Sequence, residues 1–203
     1  MAVKLTKNEQ KLQKDRLKQY QRYLPTLQLK KQQLQMVIRQ IEAEVAKLRA
    51  KQEKLVQDMQ SWIAVYNENT AFSDELKVEN LIKVDRVVKA KGNIAGVNIP
   101  VFKELTFIPI SYDLNAYPLW VDKALESLRD CARYDALIGT LEQQIKLLGR
   151  ELRTTSQRVN LFEKVKIPEA KTNIRKIGIY LGDQQTAAVV RGKIAKKKLM
   201  QGA

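Results

Sequence analysis

The 203-residue sequence has no histidine and a single cysteine, Cys131, with only 8 glycines and 5 prolines. Each gap removes a class of chemistry. Without histidine there is no imidazole base, no His-ligated metal and no Ser-His-Asp triad. One cysteine cannot build a disulfide framework, which points to a cytoplasmic setting. The opening MAVKLTKNEQKLQKD carries no apolar run of signal-peptide length, and no segment approaches the ~20 apolar residues of a membrane span. Contact with a membrane is therefore expected to be indirect.

What is abundant is charge: 29% of residues are Asp, Glu, Lys or Arg, with a formal net charge of +15. That excess is not evenly spread. Residues 1–66 and 118–203 each carry eight more basic than acidic side chains, while residues 67–117 carry one more acidic than basic. The three stretches also differ in pattern, and they are read as an N-terminal coiled-coil helix (1–66), a middle β-hairpin module (67–117) and a C-terminal coiled-coil helix with a basic tip (118–203).

From Leu17 the sequence alternates steps of three and four through Tyr20, Leu24, Leu27, Leu34, Ile38, Ile41, Val45, Leu48, Leu55, Met59, Trp62 and Tyr66, with polar Lys31 and Gln52 in the same frame. A mean spacing of 3.5 keeps one apolar stripe facing a partner helix. Leu5 and Leu12 fall out of that frame and predict a local change of supercoil. Pro25 removes a backbone donor inside the run and predicts a kink rather than a stop.

A second helix is expected after Pro118, with Val121, Leu125, Leu128, Tyr134, Ile138, Leu141, Ile145, Leu148, Leu152, Val159 and Phe162 on its stripe. The short steps from Leu128 through Cys131 to Tyr134 are a stammer. The frame then resumes through Val165, Ile167, Ala170, Ile174, Ile177 and Leu181, and Pro168 predicts a second bend. At ~1.5 Å per residue the two helices would be on the order of 100 and 120 Å long. Neither stripe can face water, so the sequence predicts a mainly α fold: a long antiparallel two-helix coiled coil formed by the N- and C-terminal helices.

The middle segment has a different grammar. Leu81, Ile82, Val84, Val87 and Val88, then Ile94, Val97, Ile99, Val101, Phe102, Leu105, Phe107, Ile108 and Ile110, are β-branched, aromatic or aliphatic in short clusters, punctuated by Gly92, Asn93 and Gly96. They predict a strand near 81–90, a turn around Lys91–Gly96 and a returning strand near 97–108. Pro100 and Pro109 suit edges or strand ends. A lone hairpin is marginal, so it should pack on the helical pair or a partner.

Catalytic candidates are few and weak. Lys91-Gly92-Asn93-Ile94-Ala95-Gly96 lacks the Lys-Ser/Thr and helix start of a phosphate-binding loop. Glu42 with Glu44, and Asp74 with Glu75, read as solvated surface, and Cys131 beside Ala132 reads as a small apolar filler. No catalytic residue, cofactor or metal is expected. Lys171 to Ala203 holds Lys171, Arg175, Lys176, Arg191, Lys193, Lys196, Lys197 and Lys198 against Asp183 alone. The alternative reading, a basic nucleic-acid-binding or scaffold coiled coil, would rest on charge alone, since no aromatic interleaving or recognised motif accompanies it. A nucleic-acid partner is not expected.

The run Arg158-Val159-Asn160-Leu161-Phe162-Glu163-Lys164-Val165-Lys166-Ile167-Pro168, followed by Asn173-Ile174 and Ile177, resembles the C-terminal signature of the D subunits of V-type (archaeal/vacuolar-type) ATPases and ATP synthases, in their bacterial branch. The Leu5-Thr6-Lys7 start and the β-rich middle are similar to the same family. The resemblance implies a non-catalytic central-stalk rotor shaft that couples ATP hydrolysis or synthesis to ion translocation. Its implied partners are the catalytic A/B hexamer, the small F subunit and a funnel-shaped subunit above the membrane ring. Its implied location is cytoplasmic and peripheral to the inner membrane. Partner contacts are expected at Arg158, Asn160, Glu163, Pro168 and Asn173, and, for the basic tip, at Arg191, Lys193, Lys196, Lys197 and Lys198.

Overall fold

The computed structural model describes residues 3–60, 77–113 and 117–201. In chain order these form α1 (Lys7–Gln60), a 3-10 turn (Val78–Leu81), β1 (Lys83–Ile94), β2 (Val97–Ile108), α2 (Val121–Leu161), a π-helical turn (Phe162–Lys166) and α3 (Ile167–Gln201). The fold is mainly helical with one two-stranded antiparallel sheet in the middle, as the sequence predicts. Trp62, Tyr66, Asp74 and Glu75 lie outside the described residues.

Local sequence accounts for the helix ends. Thr6 caps α1: its hydroxyl accepts from the Glu9 N–H at 3.3 Å and its carbonyl from the Gln10 N–H at 3.0 Å, the Thr-x-x-Glu spacing of a capping box. The helix continues through Pro25, which leaves the Gln21 carbonyl without its usual donor four residues on. The Thr26 hydroxyl there donates to the Tyr23 carbonyl at 2.7 Å. Pro118 starts the approach to α2, its carbonyl accepting from the Val121 N–H at 3.1 Å.

By contacts the chain divides into two units, residues 33–152 and residues 1–32 together with 153–203. In the first, Leu34, Ile41 and Val45 of α1 pack with Ile138, Leu141 and Leu148 of α2 and with Ile99 of β2. Arg49 pairs with Glu142, and Gln52 Nε2 donates to Asp135 Oδ1 at 2.7 Å. Partner numbers fall on α2 as they rise on α1, so the helices run antiparallel. A second cluster joins Val78 and Leu81 to Val121, Ala124 and Leu125 at the start of α2.

The hairpin departs from its predicted outline. Its turn is the two residues Ala95 and Gly96, with φ of 51° and 81°, rather than the stretch Lys91–Gly96, and β1 runs to Ile94. Two successive positive φ values match the right-handed twist of the strands. Asn93 secures them: its Oδ1 accepts from the Gly96 N–H at 3.1 Å and its Nδ2 donates to Asn98 Oδ1 at 2.9 Å. Gly92 reads as turn punctuation in the sequence but lies inside the strand, where a Cβ would stand 2.8 Å from Val101 Cγ2. Asp85 and Lys103 are the extra residues at two register shifts. The hairpin packs on α2: Gln144 Nε2 donates to the Pro100 carbonyl at 2.6 Å, Lys89 Nζ to Gln143 Oε1 at 3.3 Å, and the Arg133 guanidinium lies 5.7 Å from the centre of the Phe107 ring.

In the second unit the first part of α1 packs against the end of α2 and α3, again antiparallel: Tyr20 stacks on Phe162 with ring centroids 5.3 Å apart, and Gln10 approaches Gly178. The buried residues are Gln13, Thr155, Val159, Ala170 and Ile177. Two expectations fail here. Leu5 and Leu12 are exposed, and the three-four rhythm continues toward the N-terminus through Gln13 and Gln10, with Gln13 Nε2 bonded to Glu9 Oε1 at 2.8 Å. A polar residue that keeps a hydrogen bond can hold a seam position, so no frame shift is needed. Val165, placed on the stripe by spacing, is 49% exposed, because the π turn inserts one residue and rotates it outward.

Candidate partner-binding surfaces

The π turn and the residues around it coincide with the run Arg158 to Pro168. The Ile167 N–H bonds the Phe162 carbonyl, five residues back instead of four. Pro168 follows at once and cannot donate to the Lys164 carbonyl, so the α-helical ladder would be broken at this level in any case. The Thr172 hydroxyl donates to the Pro168 carbonyl at 2.9 Å, and Lys166 Nζ pairs with Glu169 at 3.4 Å. Arg158, Asn160, Glu163 and Pro168 are all exposed, with Leu161 and Val165 exposed beside them. Asn173 is half-buried and lines a cleft of about 70 Å³ with Gln13, Arg16, Tyr20, Lys166, Glu169 and Ala170. The first four expected contact residues thus lie on the surface, and the fifth in a cleft between α1 and α3.

The second surface is the end of α3. Leu181 is the last half-buried residue, and every position from Gly182 to Gln201 is exposed. The reason lies in α1, which begins at Lys7: Lys7 and Gln10 border the open cleft at Gly178, Leu181, Gly182, Gln185 and Ala188. Arg191, Lys193, Lys196, Lys197 and Lys198 are all on this uncovered length, as are Val189, Val190, Ile194, Leu199 and Met200. At ~100° per residue these basic and apolar side chains occupy all sides of the helix rather than two separate faces. Cations at a helix C-terminus also oppose its negative dipole end. A helix of this kind suits an enclosing, acidic-rimmed surface better than a one-sided groove.

The remaining candidates carry no comparable arrangement. Lys91–Gly96 is strand and turn. Glu42 and Glu44 are exposed on α1. Burial raises the Cys131 thiol above its ordinary range, with Asp135 and Asp130 adding to the effect, so little thiolate exists at neutral pH. The Tyr112 hydroxyl donates to Asp122, which raises its pKa together with burial, and fastens the segment after β2 to the first turn of α2. Among the described residues no helix is long and apolar enough to cross a membrane. Sequence reasoning missed Gln13 and Gln144, and marked Asn93 only as turn punctuation without its hydrogen bonds. Each is a polar side chain that fills a structural position through hydrogen bonding, and no periodicity marks it.

Two surfaces on paired helices, one signature-bearing and one an uncovered basic end, define a helical component of a larger assembly. Comparison with known sequences agrees. The profile of the family described as the ATP synthase D subunit matches residues 9–197. The V-type ATP synthase D subunit of Borreliella burgdorferi is 53% identical over 199 residues, covering 98% of this chain and 96% of that one. Its counterpart of the same name in Chlamydia pneumoniae is 35% identical over 206 residues (98% and 94%), and that in Chlamydia muridarum 34% over 199 (98% and 97%). The chain belongs to the family of V-type ATP synthase D subunits and is a component of that complex.

Proposed function

We propose that the chain is the non-catalytic central-stalk shaft of its complex. The observation that carries the reading is the uncovered basic end of α3, Gly182 to Gln201, on a helix otherwise paired with α1. It enters the central cavity of the catalytic A/B hexamer, where Arg191, Lys193, Lys196, Lys197 and Lys198 meet acidic side chains. The small F subunit binds at the side, with Arg158, Asn160, Glu163, Pro168 and Asn173 among the partner contacts. The other end seats in the funnel-shaped subunit above the membrane ring. The chain is cytoplasmic and peripheral to the inner membrane, and nucleotide sites belong to the hexamer.

The mechanism follows from asymmetry. A shaft in a pseudo-threefold cavity presents a different face to each catalytic interface, so its angle biases which site is open, and turnover at the sites turns it. The π turn and Pro25 make the helical surface of this region non-uniform, and the apolar seam between helices resists twisting where one helix would not. Torque delivered to the membrane ring couples ATP hydrolysis or synthesis to ion translocation.

Truncation of Gly192 to Ala203 in the assembled complex tests the reading. The expected result is loss of ATP hydrolysis coupled to ion transport, with the remaining chain still folded by circular dichroism. Unchanged assembly together with unchanged coupling would discard the insertion of α3 into the hexamer.

A further inference from the structure

The hairpin has two outer edges, and they are not equivalent. Lys91 faces Pro100 across the ladder, and Pro100 has no N–H, so this pair cannot be of the hydrogen-bonded kind. In such a pair the remaining backbone groups of both residues point away from the hairpin. On β2 the outward Pro100 carbonyl is taken by Gln144 of α2. On β1 the N–H and C=O of Lys91 point outward with no partner among the described residues. The same alternation turns out the groups of Lys89, opposite Phe102, and Asn93, opposite Asn98. Among the described residues no third strand and no backbone–backbone hydrogen bond reaches this edge.

The side chains along that edge specify what could pair with it. Lys89, Lys91 and Asn93 are exposed, and Lys89 reaches only the neutral Gln143. Lys83 and Arg86 continue the strand, against Asp85 as its one carboxylate. Val84 and Val87 are also exposed on β1. Edge lysines discourage pairing with a second copy of the same strand, because like charges would lie opposite one another. They favour an extended segment that carries carboxylates.

We propose that the outer edge of β1 from Lys89 to Asn93 is a docking site where an extended, acidic segment of another protein in the complex adds as a third strand. Three outward residues offer alternating donors and acceptors, and the lysines supply charge selection. The site goes beyond the shaft reading and does not require that the chain rotate.

Amide hydrogen exchange, resolved at single residues, tests it in the free chain and in the assembled complex. Lys89, Lys91 and Asn93 should exchange freely alone and be slowed at least ~10-fold in the complex, while Ala90 and Gly92, paired to Val101 and Ile99, stay protected in both. Lys91→Pro removes one outward donor without breaking a β1–β2 bond. It should abolish the gained protection at Lys89 and Asn93, and protected Ala90 would confirm that its hairpin is intact. Lys89→Glu with Lys91→Glu should do the same by charge. Equal exchange in the free and assembled chain would overturn the proposal. So would protection that survives both variants, which would mean coverage by side-chain packing. Protection that grows with concentration in the free chain would assign the edge to a second copy and overturn the acidic partner.

Discussion

The unit of residues 33–152 and the unit of residues 1–32 with 153–203 use the same antiparallel pairing but bury different material. The first gathers Leu34, Ile41, Val45, Ile138, Leu141 and Leu148 around Ile99 of the hairpin and adds the cluster at Val121 and Leu125. The second buries Val159, Ala170 and Ile177 with polar Gln13 and Thr155, and leaves the end of α3 uncovered. Hydrophobic stabilisation scales with apolar area removed from water, so the first should be the firmer. The lesson concerns packing: the same helical pairing gives a firm apolar core in one region and a seam with polar positions and an uncovered helix end in the other.

The largest effects that bear on this contrast are expected at the two cores. Leu148 is 0% exposed and belongs to the larger core cluster, so Leu148→Ala should cost ~2–5 kcal/mol in denaturant unfolding. A smaller loss than from Ala170→Gly would reverse the ranking of the units. Exchange should mark the same gradient, with amides of α1 around Leu34 to Val45 opening only globally and those beyond Gly182 in α3 exchanging almost freely. Comparable protection in both would refute the idea that α3 ends unsupported.

Smaller effects are expected from single contacts. Tyr20→Leu keeps apolar bulk but removes the stack on Phe162, and should cost ~0.5–1.5 kcal/mol in a thermal melt. Tyr112→Phe deletes the bond to Asp122 in the firmer unit and should cost ~0.5–1.5 kcal/mol. The sign of its pH dependence is fixed. Because the folded state raises the Tyr112 pKa above the ordinary 10.0, the unfolded chain loses that proton first. The contribution is whole below about pH 10 and disappears as pH rises through the folded value. Melts of the native chain and of Tyr112→Phe should therefore converge in strong alkali. Smallest of all, Cys131 should be alkylated more slowly at neutral pH than a free thiol, and the two rates should approach each other as pH rises.

The helices were legible in the sequence because a 3.5-residue spacing acts at every turn. Tyr20, Leu34, Ile41, Val45, Leu148 and Ile177 all face inward as that spacing requires. The signature around Arg158 to Pro168 and the basic run at Arg191 to Lys198 were legible too, since composition and motif need no contact map. Periodicity is local, however, and it misplaced Val165, which one inserted residue in a π turn rotates outward. It also misjudged Leu12 and Gln13, where a hydrogen bond lets the polar side chain take the seam.

Patterns repeated over many residues were thus enough to establish the helical pairing, the existence of a hairpin between the helices and the family to which the chain belongs. Other outcomes needed the folded chain: that the turn is Ala95-Gly96, that a Cβ at Gly92 would crowd the Val101 side chain, and that one hairpin edge is held by Gln144 while the other has no backbone partner among the described residues. They depend on which atoms arrive opposite one another, and single hydrogen bonds and steric contacts between distant residues leave no period in the sequence.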